Sequence, residues 1–268
     1  MSMNRRQFLK IAGISSILGF GDAVAKAALL ATDLKPPHME PNKEALTAKR
    51  WAMVVDMSRF RTADDFRKTI DACHLTHNVP DFRNPDGSVD TKNEVRWITT
   101  VPFENAFPGQ EHRFMSERFR KMPFLVLCNH CDNPPCVRVC PTKATFRSPD
   151  GIVVQDEHRC IGCRYCMAAC PFGARSFNWF DPRKVISAAT ENRQYPTRSK
   201  GVVEKCTFCR ERLQFGKMPA CVEAAPKRGM FFGDIEDPNS EVRRIVSTRF
   251  TIRRKPELGT EPAIYYLV

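Results

Sequence analysis

Short apolar runs separated by turn residues dominate the chain, and they predict a small set of strands and helices. Residues 50–56 (RWAMVVD) are almost wholly apolar up to the final aspartate, which favours a buried strand. Between residues 62 and 77, Phe66, Ile70 and Cys73 recur at i, i+4 and i+7, the spacing of one helix face. Further apolar runs predict a hairpin and two more strands, at residues 145–154, 174–179 and 230–232.

Two dense cysteine runs lie between residues 128 and 171 and carry the strongest chemical signal. The first reads C-x2-C-x4-C-x3-C-P and the second C-x2-C-x2-C-x3-C-P. The second is the bacterial iron–sulfur spacing, in which three cysteines hold one cluster and the fourth reaches the neighbouring cluster. We therefore expect two [4Fe–4S] clusters with crossed ligands: Cys128, Cys131, Cys136 and Cys170 for cluster 1, and Cys140, Cys160, Cys163 and Cys166 for cluster 2.

Zinc and disulfide bonds are the two other uses of cysteine that such runs could serve. Structural zinc sites usually take their ligands as two pairs a dozen or more residues apart, whereas each run here holds four cysteines close together and ends in Cys-Pro. Disulfide scaffolds carry a higher fraction of cysteine than 12 in 268 residues, and a chain of this length can bury a core of its own. The paired spacing therefore favours iron–sulfur clusters.

A weaker repeat of the same unit predicts a third cluster. After each run the chain continues with Pro, Ala and Phe, and a similar phrase returns after residue 225, where Ala225 stands in the slot of the fourth cysteine. A degenerate copy near the front has Phe60 in a cysteine slot and keeps only Cys73. One cluster has thus lost all of its ligands. The cysteines that remain in these two units are expected to bind cluster 3: Cys73, Cys206, Cys209 and Cys221. Two alternatives stay open: Cys73 is a buried free thiol, or the third site is a [3Fe–4S] cluster on Cys206, Cys209 and Cys221 alone.

The charge balance is basic, with a formal net charge of +12 over 268 residues. A basic excess can indicate nucleic acid or an anionic membrane surface, but no Lys/Arg run here resembles a nucleic-acid arm. An oxidised cubane with four thiolates carries about two negative charges, so three clusters would remove roughly half of the excess. No Ser/His/Asp set, phosphate loop or carboxylate pair indicates catalysis. We expect the histidines near the cysteines to be hydrogen-bond donors or surface residues: His74, His77, His130 and His158.

The first 25 residues have the pattern of a twin-arginine export signal. Arg5 and Arg6 precede Phe-Leu-Lys and a modest apolar stretch, and the sequence Ala-Val-Ala ending at Ala25 supplies a small-residue cleavage site. An amphipathic first helix is the alternative interpretation, and a signal that is not cleaved could serve as an anchor. No later segment holds the ~18 apolar residues that span a bilayer. We therefore expect export, and a protein on the periplasmic or extracytoplasmic face of the membrane, associated with it peripherally.

These motifs resemble the four-unit iron–sulfur subunits of membrane-bound oxidoreductases, such as polysulfide and dimethyl sulfoxide reductases. Three further phrases are similar to the DsrO family, the exported iron–sulfur subunits of DsrMKJOP complexes: CNHCDNPPC at 128–136, FPGQEH at 107–112 and RRKPELG at 253–259. The resemblance covers nearly all of the chain. It implies that the first unit pairs with the fourth and the second with the third. Phe60 and Ala225 depart from the pattern and put the usual fourth cluster in doubt.

The repeats and the resemblance together imply an α+β fold of two ferredoxin-like [4Fe–4S] modules, the central one inserted into the other, with loop-rich termini. We expect six segments in chain order: a twin-arginine signal peptide (1–25), a linker (26–49), the first part of the outer module (50–120), the central two-cluster module (121–185), the second part of the outer module (186–240) and a C-terminal wrapping tail (241–268).

The resemblance implies an electron-transfer subunit that relays single electrons and has no catalytic site of its own. Its partners would be an NrfD-type integral-membrane subunit that interacts with quinone, a multihaem cytochrome c and the other subunits of a DsrMKJOP-like complex of sulfite reduction. No nucleic acid is implied. Two alternatives stay open: an iron–sulfur subunit of a molybdopterin oxidoreductase or a hydrogenase, and a scaffold whose clusters only hold the fold.

Overall fold

The computed structural model describes residues 42–267, so the expected export signal and most of the linker after it lie outside the described residues. The α-helices in this range are α1 (Ala63–Thr76), α2 (Phe103–Ala106), α3 (Glu117–Arg120), α4 (Pro135–Arg138), α5 (Tyr165–Ala168), α6 (Arg210–Leu213), α7 (Ala220–Ala224) and α8 (Glu241–Thr248). Short 3-10 helices occur at Met57–Arg59, Pro108–Gln110, Pro182–Lys184 and Pro256–Leu258. Within residues 42–267, no helix has both the length and the apolar character needed to cross a bilayer.

The described strands form one four-stranded sheet and three two-stranded ladders. They are β1 (Trp51–Asp56), β2 (Ile98–Pro102), β3 (Pro123–Leu127), β4 (Thr145–Arg147), β5 (Val153–Gln155), β6 (Ser176–Phe177), β7 (Val203–Glu204), β8 (Met230–Asp234), β9 (Thr251–Ile252) and β10 (Ile264–Leu267). The sheet has the order β8-β1-β10-β9, and antiparallel ladders join β2 with β3, β4 with β5, and β6 with β7. This mixture of helices and strands confirms the predicted α+β character, whereas the insertion of one module into the other stays a prediction.

β1 is buried along its whole length because both faces of its sheet are covered. Met53 and Val55 belong to the main core on one face. Ala52 and Val54 alternate with them and meet a smaller apolar cluster on the other face, to which α8 contributes Val242. A strand that is covered on both faces needs apolar residues at every position, which explains why its sequence shows no alternation.

α1 begins at a capping box and carries an isolated cysteine into the core. The Thr62 side chain accepts a hydrogen bond from the Asp65 backbone N–H, and the Asp65 carboxylate accepts one from the Thr62 N–H at 2.8 Å. Thr69 and Cys73, four residues apart and therefore on one face, are the buried residues of this helix. α1 packs against α7, and this contact brings Cys73 close to Cys221.

The C-terminal segment, expected to be a wrapping tail, contributes a strand to the interior of the main sheet. β10 lies inside the four-stranded sheet and runs parallel to β1, with Met53 opposite Ile264. Tyr266 is fully buried, and its hydroxyl donates to the Leu125 carbonyl at 3.0 Å. A strand of four residues is too short to show a periodic pattern, so its place in the core could not be predicted from the sequence.

Candidate metal centres

The four cysteines expected to bind cluster 1 line a single pocket. β3 leads directly to Cys128, Cys136 lies in the short helix α4, and Cys170 follows α5. The pocket is lined by Cys128, Cys131, Cys136 and Cys170. Three further side chains, which the cysteine spacing did not predict, also line it: Asn129, His130 and Arg175. The structure therefore brings this predicted group together.

The group expected to bind cluster 2 lines a second pocket: Cys140, Cys160, Cys163 and Cys166. The Thr145 backbone N–H donates to Cys140 Sγ, with an N···S distance of 3.4 Å. Burial acts to raise the pKa of Cys140, but hydrogen bonds from Thr145 and Thr142 outweigh it and lower this pKa. Amides aimed at a sulfur stabilise its thiolate, which is the form that binds iron.

The loop between Cys160 and Cys163 in this second group requires glycine. Gly162 has φ +70°, a left-handed conformation that L side chains rarely adopt. A Cβ at this position would lie 2.3 Å from the Gly201 carbonyl oxygen. The loop therefore fits closely against the neighbouring chain, and this contact fixes the position of the cysteines on either side.

The third group joins cysteines from separate parts of the chain: Cys73, Cys206, Cys209 and Cys221. All of them are buried. Burial raises the pKa of Cys73 well above its usual value, and the adjacent thiols of Cys221, Cys206 and Cys209 raise it further. The Phe208 N–H donates to Cys206 Sγ at 3.5 Å and the Ala220 N–H donates to Cys209 Sγ at 3.4 Å.

Buried thiols in these groups are poor thiolates without a metal. Burial, followed by the charge of Cys128, raises the pKa of Cys131 to about 12. Burial also raises the pKa of Cys221 to about 12, although nearby backbone hydrogen bonds oppose it. A metal ligand must be deprotonated, so cluster binding would release the thiol protons. The bonds to iron would offset the free energy that it costs to bury the thiolates.

Buried polar atoms without a hydrogen-bond partner test whether iron–sulfur clusters fit these groups. Several of them lie beside the cysteines: the amide of Asn129, His130 Nε2, Arg175 Nη2, Thr207 Oγ1 and Thr260 Oγ1. His130 Nδ1 accepts from the Val153 N–H at 3.1 Å, so its proton is assigned to Nε2, a free donor. Unsatisfied buried donors are costly, and the sulfurs of an anionic cluster would accept from them. The residues present therefore fit the predicted cofactor.

Electrostatic interactions between cysteines of different groups indicate a linear order for the three sites. After burial, the largest influence that raises the pKa of Cys206 is the charge of Cys128, so the third group adjoins the first. Cys136 likewise raises the pKa of Cys166, after burial, and this contact joins the first group to the second. The first group therefore lies between the other two.

Phe60 occupies the region where the repeat pattern would place a fourth cluster. Its ring is buried and lies 5.1 Å from the Phe66 ring, centroid to centroid. It also lies beside the Pro226–Gly229 turn, where a Cβ on Gly229 would approach it to 3.2 Å. Phe60 and Phe66 thus pack together where the ligands are missing and line a cavity there.

The histidines divide between the core and the surface. His77 is buried, with Nδ1 2.7 Å from the Cys73 carbonyl oxygen and Nε2 2.9 Å from Glu211 Oε1. His77, Cys209 and Glu211 lie close enough that a single metal ion could also bind there. His158 is fully exposed.

Two of the buried cations lie beside the cysteine groups, and their positions were not predicted from the sequence. Lys205 is 1% exposed, and its ammonium donates to the carbonyls of Val153 and Cys206. Arg175 lines the pocket of the first group. The available signal was a charged residue within, or directly after, an apolar run. That signal does not reveal which distant groups the side chain meets.

This geometry, with cysteines grouped in fours and amides and cations aimed at their sulfurs, defines the class of ferredoxin-type [4Fe–4S] proteins. Comparison with known families agrees, because a 4Fe-4S dicluster domain matches residues 121–184 and 180–235. The tandem match confirms the prediction of several [4Fe–4S] clusters, without fixing their number.

Curated relatives extend the comparison to the whole chain. The Hdr-like menaquinol oxidoreductase iron-sulfur subunit 1 of Archaeoglobus fulgidus is 38% identical over 98% of this chain and 97% of its own length. Protein NrfC of Escherichia coli is 33% identical over 99% of this chain and 95% of its own. The menaquinone reductase iron-sulfur cluster-binding subunit of Nitratidesulfovibrio vulgaris is 34% identical over 81% and 88%. The chain therefore belongs to the family of iron–sulfur electron-transfer subunits of oxidoreductases.

Proposed function

We propose that this protein relays single electrons through three [4Fe–4S] clusters, between a quinone-interacting membrane subunit and haem or sulfur-metabolism partners. The observation that carries the proposal is the grouping of all twelve cysteines into three sets of four, with buried donors around them. The clusters supply the one-electron chemistry, and the chain binds them, sets their spacing and excludes water from most of their ligands.

The ligand sets follow the crossed pattern expected from the sequence. Cluster 1 would be held by Cys128, Cys131, Cys136 and Cys170, cluster 2 by Cys140, Cys160, Cys163 and Cys166, and cluster 3 by Cys73, Cys206, Cys209 and Cys221. The order 2–1–3 supports a continuous path, because each neighbouring pair of clusters would have ligands in electrostatic contact. Three of the four cysteines of the second set are partly exposed, whereas all four of the third set are buried, so the end of the path at cluster 2 is more accessible to a partner.

The parent complex is inferred from the relatives and the resemblance. Two of the relatives are named for menaquinol or menaquinone, which supports a quinone-linked membrane partner of the NrfD type. The DsrO-like phrases support a DsrMKJOP-like complex of sulfite reduction with a multihaem cytochrome c, on the extracytoplasmic face of the membrane. A molybdopterin oxidoreductase or a hydrogenase as the parent complex, or clusters that are structural only, are the competing proposals.

Iron and sulfide analysis combined with an EPR-monitored redox titration of the full chain tests this function. We expect about twelve irons per chain and three titrating clusters. About four or sixteen irons would overturn the assignment of three clusters, and clusters that cannot be cycled in the quinone range would favour the structural scaffold. Purification of the native complex identifies the partner subunits.

Cys73→Ala tests the third ligand set on its own. Loss of Cys73 should remove or convert cluster 3, so that iron falls by about one to four atoms while the other two clusters keep their spectra. Thr69→Ala is the matched control, because Thr69 is buried on the same face of α1 one turn earlier. Unchanged iron and spectra in the Cys73 variant would refute its role as a ligand. A three-iron signal already present in the native protein would favour the [3Fe–4S] alternative.

A further inference from the structure

Arg175 lies between the pockets of the first and second cysteine groups. Its side chain is 5% exposed and lines the first pocket. Its Nη1 donates to Gln155 Oε1 at 3.0 Å and to Thr145 Oγ1 at 3.3 Å. Thr145 and Gln155 in turn line the second pocket. One guanidinium therefore spans the wall between two sets of cluster ligands.

Cysteine sulfurs, which become anionic when they bind a cluster, face this guanidinium. Its hydrogen bonds to oxygen within residues 42–267 go to two neutral groups, and its Nη2 has no partner there. It interacts directly with Cys136 of the first group and Cys166 of the second. Burial works against its charge, yet the pKa of Arg175 is raised, because Cys136, Cys166 and Cys128 lie close to it. A buried cation needs such partners to persist.

We propose that Arg175 is a positioning residue shared by two clusters, which donates hydrogen bonds to a sulfur of each and sets both reduction potentials together. This inference rests on the proposed function, since it requires clusters 1 and 2 to occupy their pockets. Arg suits the role better than Lys because its planar fork presents several donors in fixed directions and stays charged when buried.

The physical consequence follows from charge. Reduction adds one negative charge to a cluster, and a fixed cation beside it stabilises the reduced form and raises its potential. Because the cation lies between two clusters, it stabilises the reduced form of both. Without Arg175, both potentials should therefore fall.

Redox titration of Arg175→Gln with EPR detection tests the proposal. We expect full iron content and a downward shift of the potentials of clusters 1 and 2, while cluster 3 changes little. The magnetic interaction between reduced clusters 1 and 2 should keep its native form, because the cysteines that set their distance are unchanged. A purely structural role for Arg175 would alter that interaction instead.

Arg164→Gln is the matched control. Arg164 also lines the second pocket, but its side chain is exposed and its guanidinium lies 4.6 Å from the centre of the Trp179 ring. Solvent screens an exposed charge, so this variant should shift cluster 2 by less than Arg175→Gln does and leave cluster 1 unchanged. An equal shift of both clusters in the Arg164 variant would assign the effect to net charge and overturn the shared role of Arg175.

Arg175→Lys keeps the test decisive if the glutamine variant fails to retain iron. An ammonium preserves the charge but not the fork, so at least one of the two potentials should fall. Unchanged potentials for both clusters in whichever Arg175 variant is fully loaded would overturn the proposal. Native protein without redox-active clusters would instead refute the proposed function, so the two failures can be told apart.

Discussion

Arg198 and Glu204 form a buried ion pair that connects two separate parts of the chain. Their side chains are 3% and 0% exposed, and Arg198 Nη2 lies 2.6 Å from Glu204 Oε2. Trp97 Nε1 donates to the same carboxylate oxygen at 2.7 Å, and Arg198 Nη2 also donates to the Asn78 carbonyl at 3.0 Å. The pair thereby links the segment after α1 with β7. Each charge depends on the other, since neither is solvated by water.

Replacing Arg198 with methionine should lower the free energy of unfolding by about 3–5 kcal/mol, because Glu204 is left as a buried charge without its partner. Urea unfolding of the cluster-loaded protein measures this loss. Arg183→Gln is the control: Arg183 pairs with Asp181 near the surface, where an ion pair contributes about 0–1 kcal/mol. Similar losses in both variants would mean that the burial of Arg198 has no energetic consequence.

At the scale of elements, the loop that holds the second cysteine group depends on the backbone at Gly162. Gly162→Ala should displace this loop from the Gly201 carbonyl and cost the protein cluster 2, or about four irons. Gly173→Ala separates the steric effect from the conformational one. Gly173 also has a positive φ, +61°, but a Cβ there meets nothing within 4 Å. The Gly173→Ala control should lower the free energy of unfolding by only about 1–2 kcal/mol, through backbone strain, and should keep all of its iron. A full iron content in the Gly162→Ala variant would contradict the prediction.

Elements with a clear period were predictable from the sequence, and short ones were not. β1, α1, the β4–β5 hairpin and β8 all lie where apolar spacing indicates them. β2 was not predicted, because Ile-Thr-Thr-Val-Pro shows only weak alternation. The strand candidate at 174–179 shrinks to two residues in β6, since Arg175 turns toward the cysteines instead of extending the strand.

The candidate site likewise has a part that the sequence predicted, the cysteine groups, and a part that it did not, the buried cations. Cysteine spacing and the internal repeat predicted each group of four that the structure brings together, including Cys73 with the distant Cys221. Their binding of iron stays a prediction. The roles of Arg175 and Lys205 could not be predicted, because each side chain meets groups far away in the sequence, such as Gln155 and Val153.

At the scale of the whole molecule, the cysteine groups and the apolar core are parts of one structure. Cys73, Cys128, Cys206 and Cys221 belong to the main core cluster together with residues of β1, β8 and β10. Bound clusters would therefore form part of the core and stabilise it. They would also reduce the formal charge of +12 to roughly +6, at about two negative charges for each cluster.

Removing iron by oxidation and chelation should lower the thermal unfolding temperature, because metal binding contributes to folding. The cluster-free chain should lose further stability from about pH 9 to about pH 12. Burial raises the pKa of Cys131 and Cys221 from 9.0 to about 12 in the folded chain, so their contribution is present below pH 9 and is lost as the pH rises toward 12. Loaded protein, whose sulfurs are bound to iron, should not show this alkaline loss. Calorimetry of both forms decides, and equal pH profiles would contradict the prediction.

The parallel pairing of β1 with β10 determines when folding can finish during synthesis. β1 leaves the ribosome long before β10, its neighbour in the sheet, so one edge of β1 stays unpaired until β10 has been made. An exposed strand edge of this kind invites aggregation. Chaperones that shield β1 until β10 has been made would therefore protect the nascent chain from aggregation.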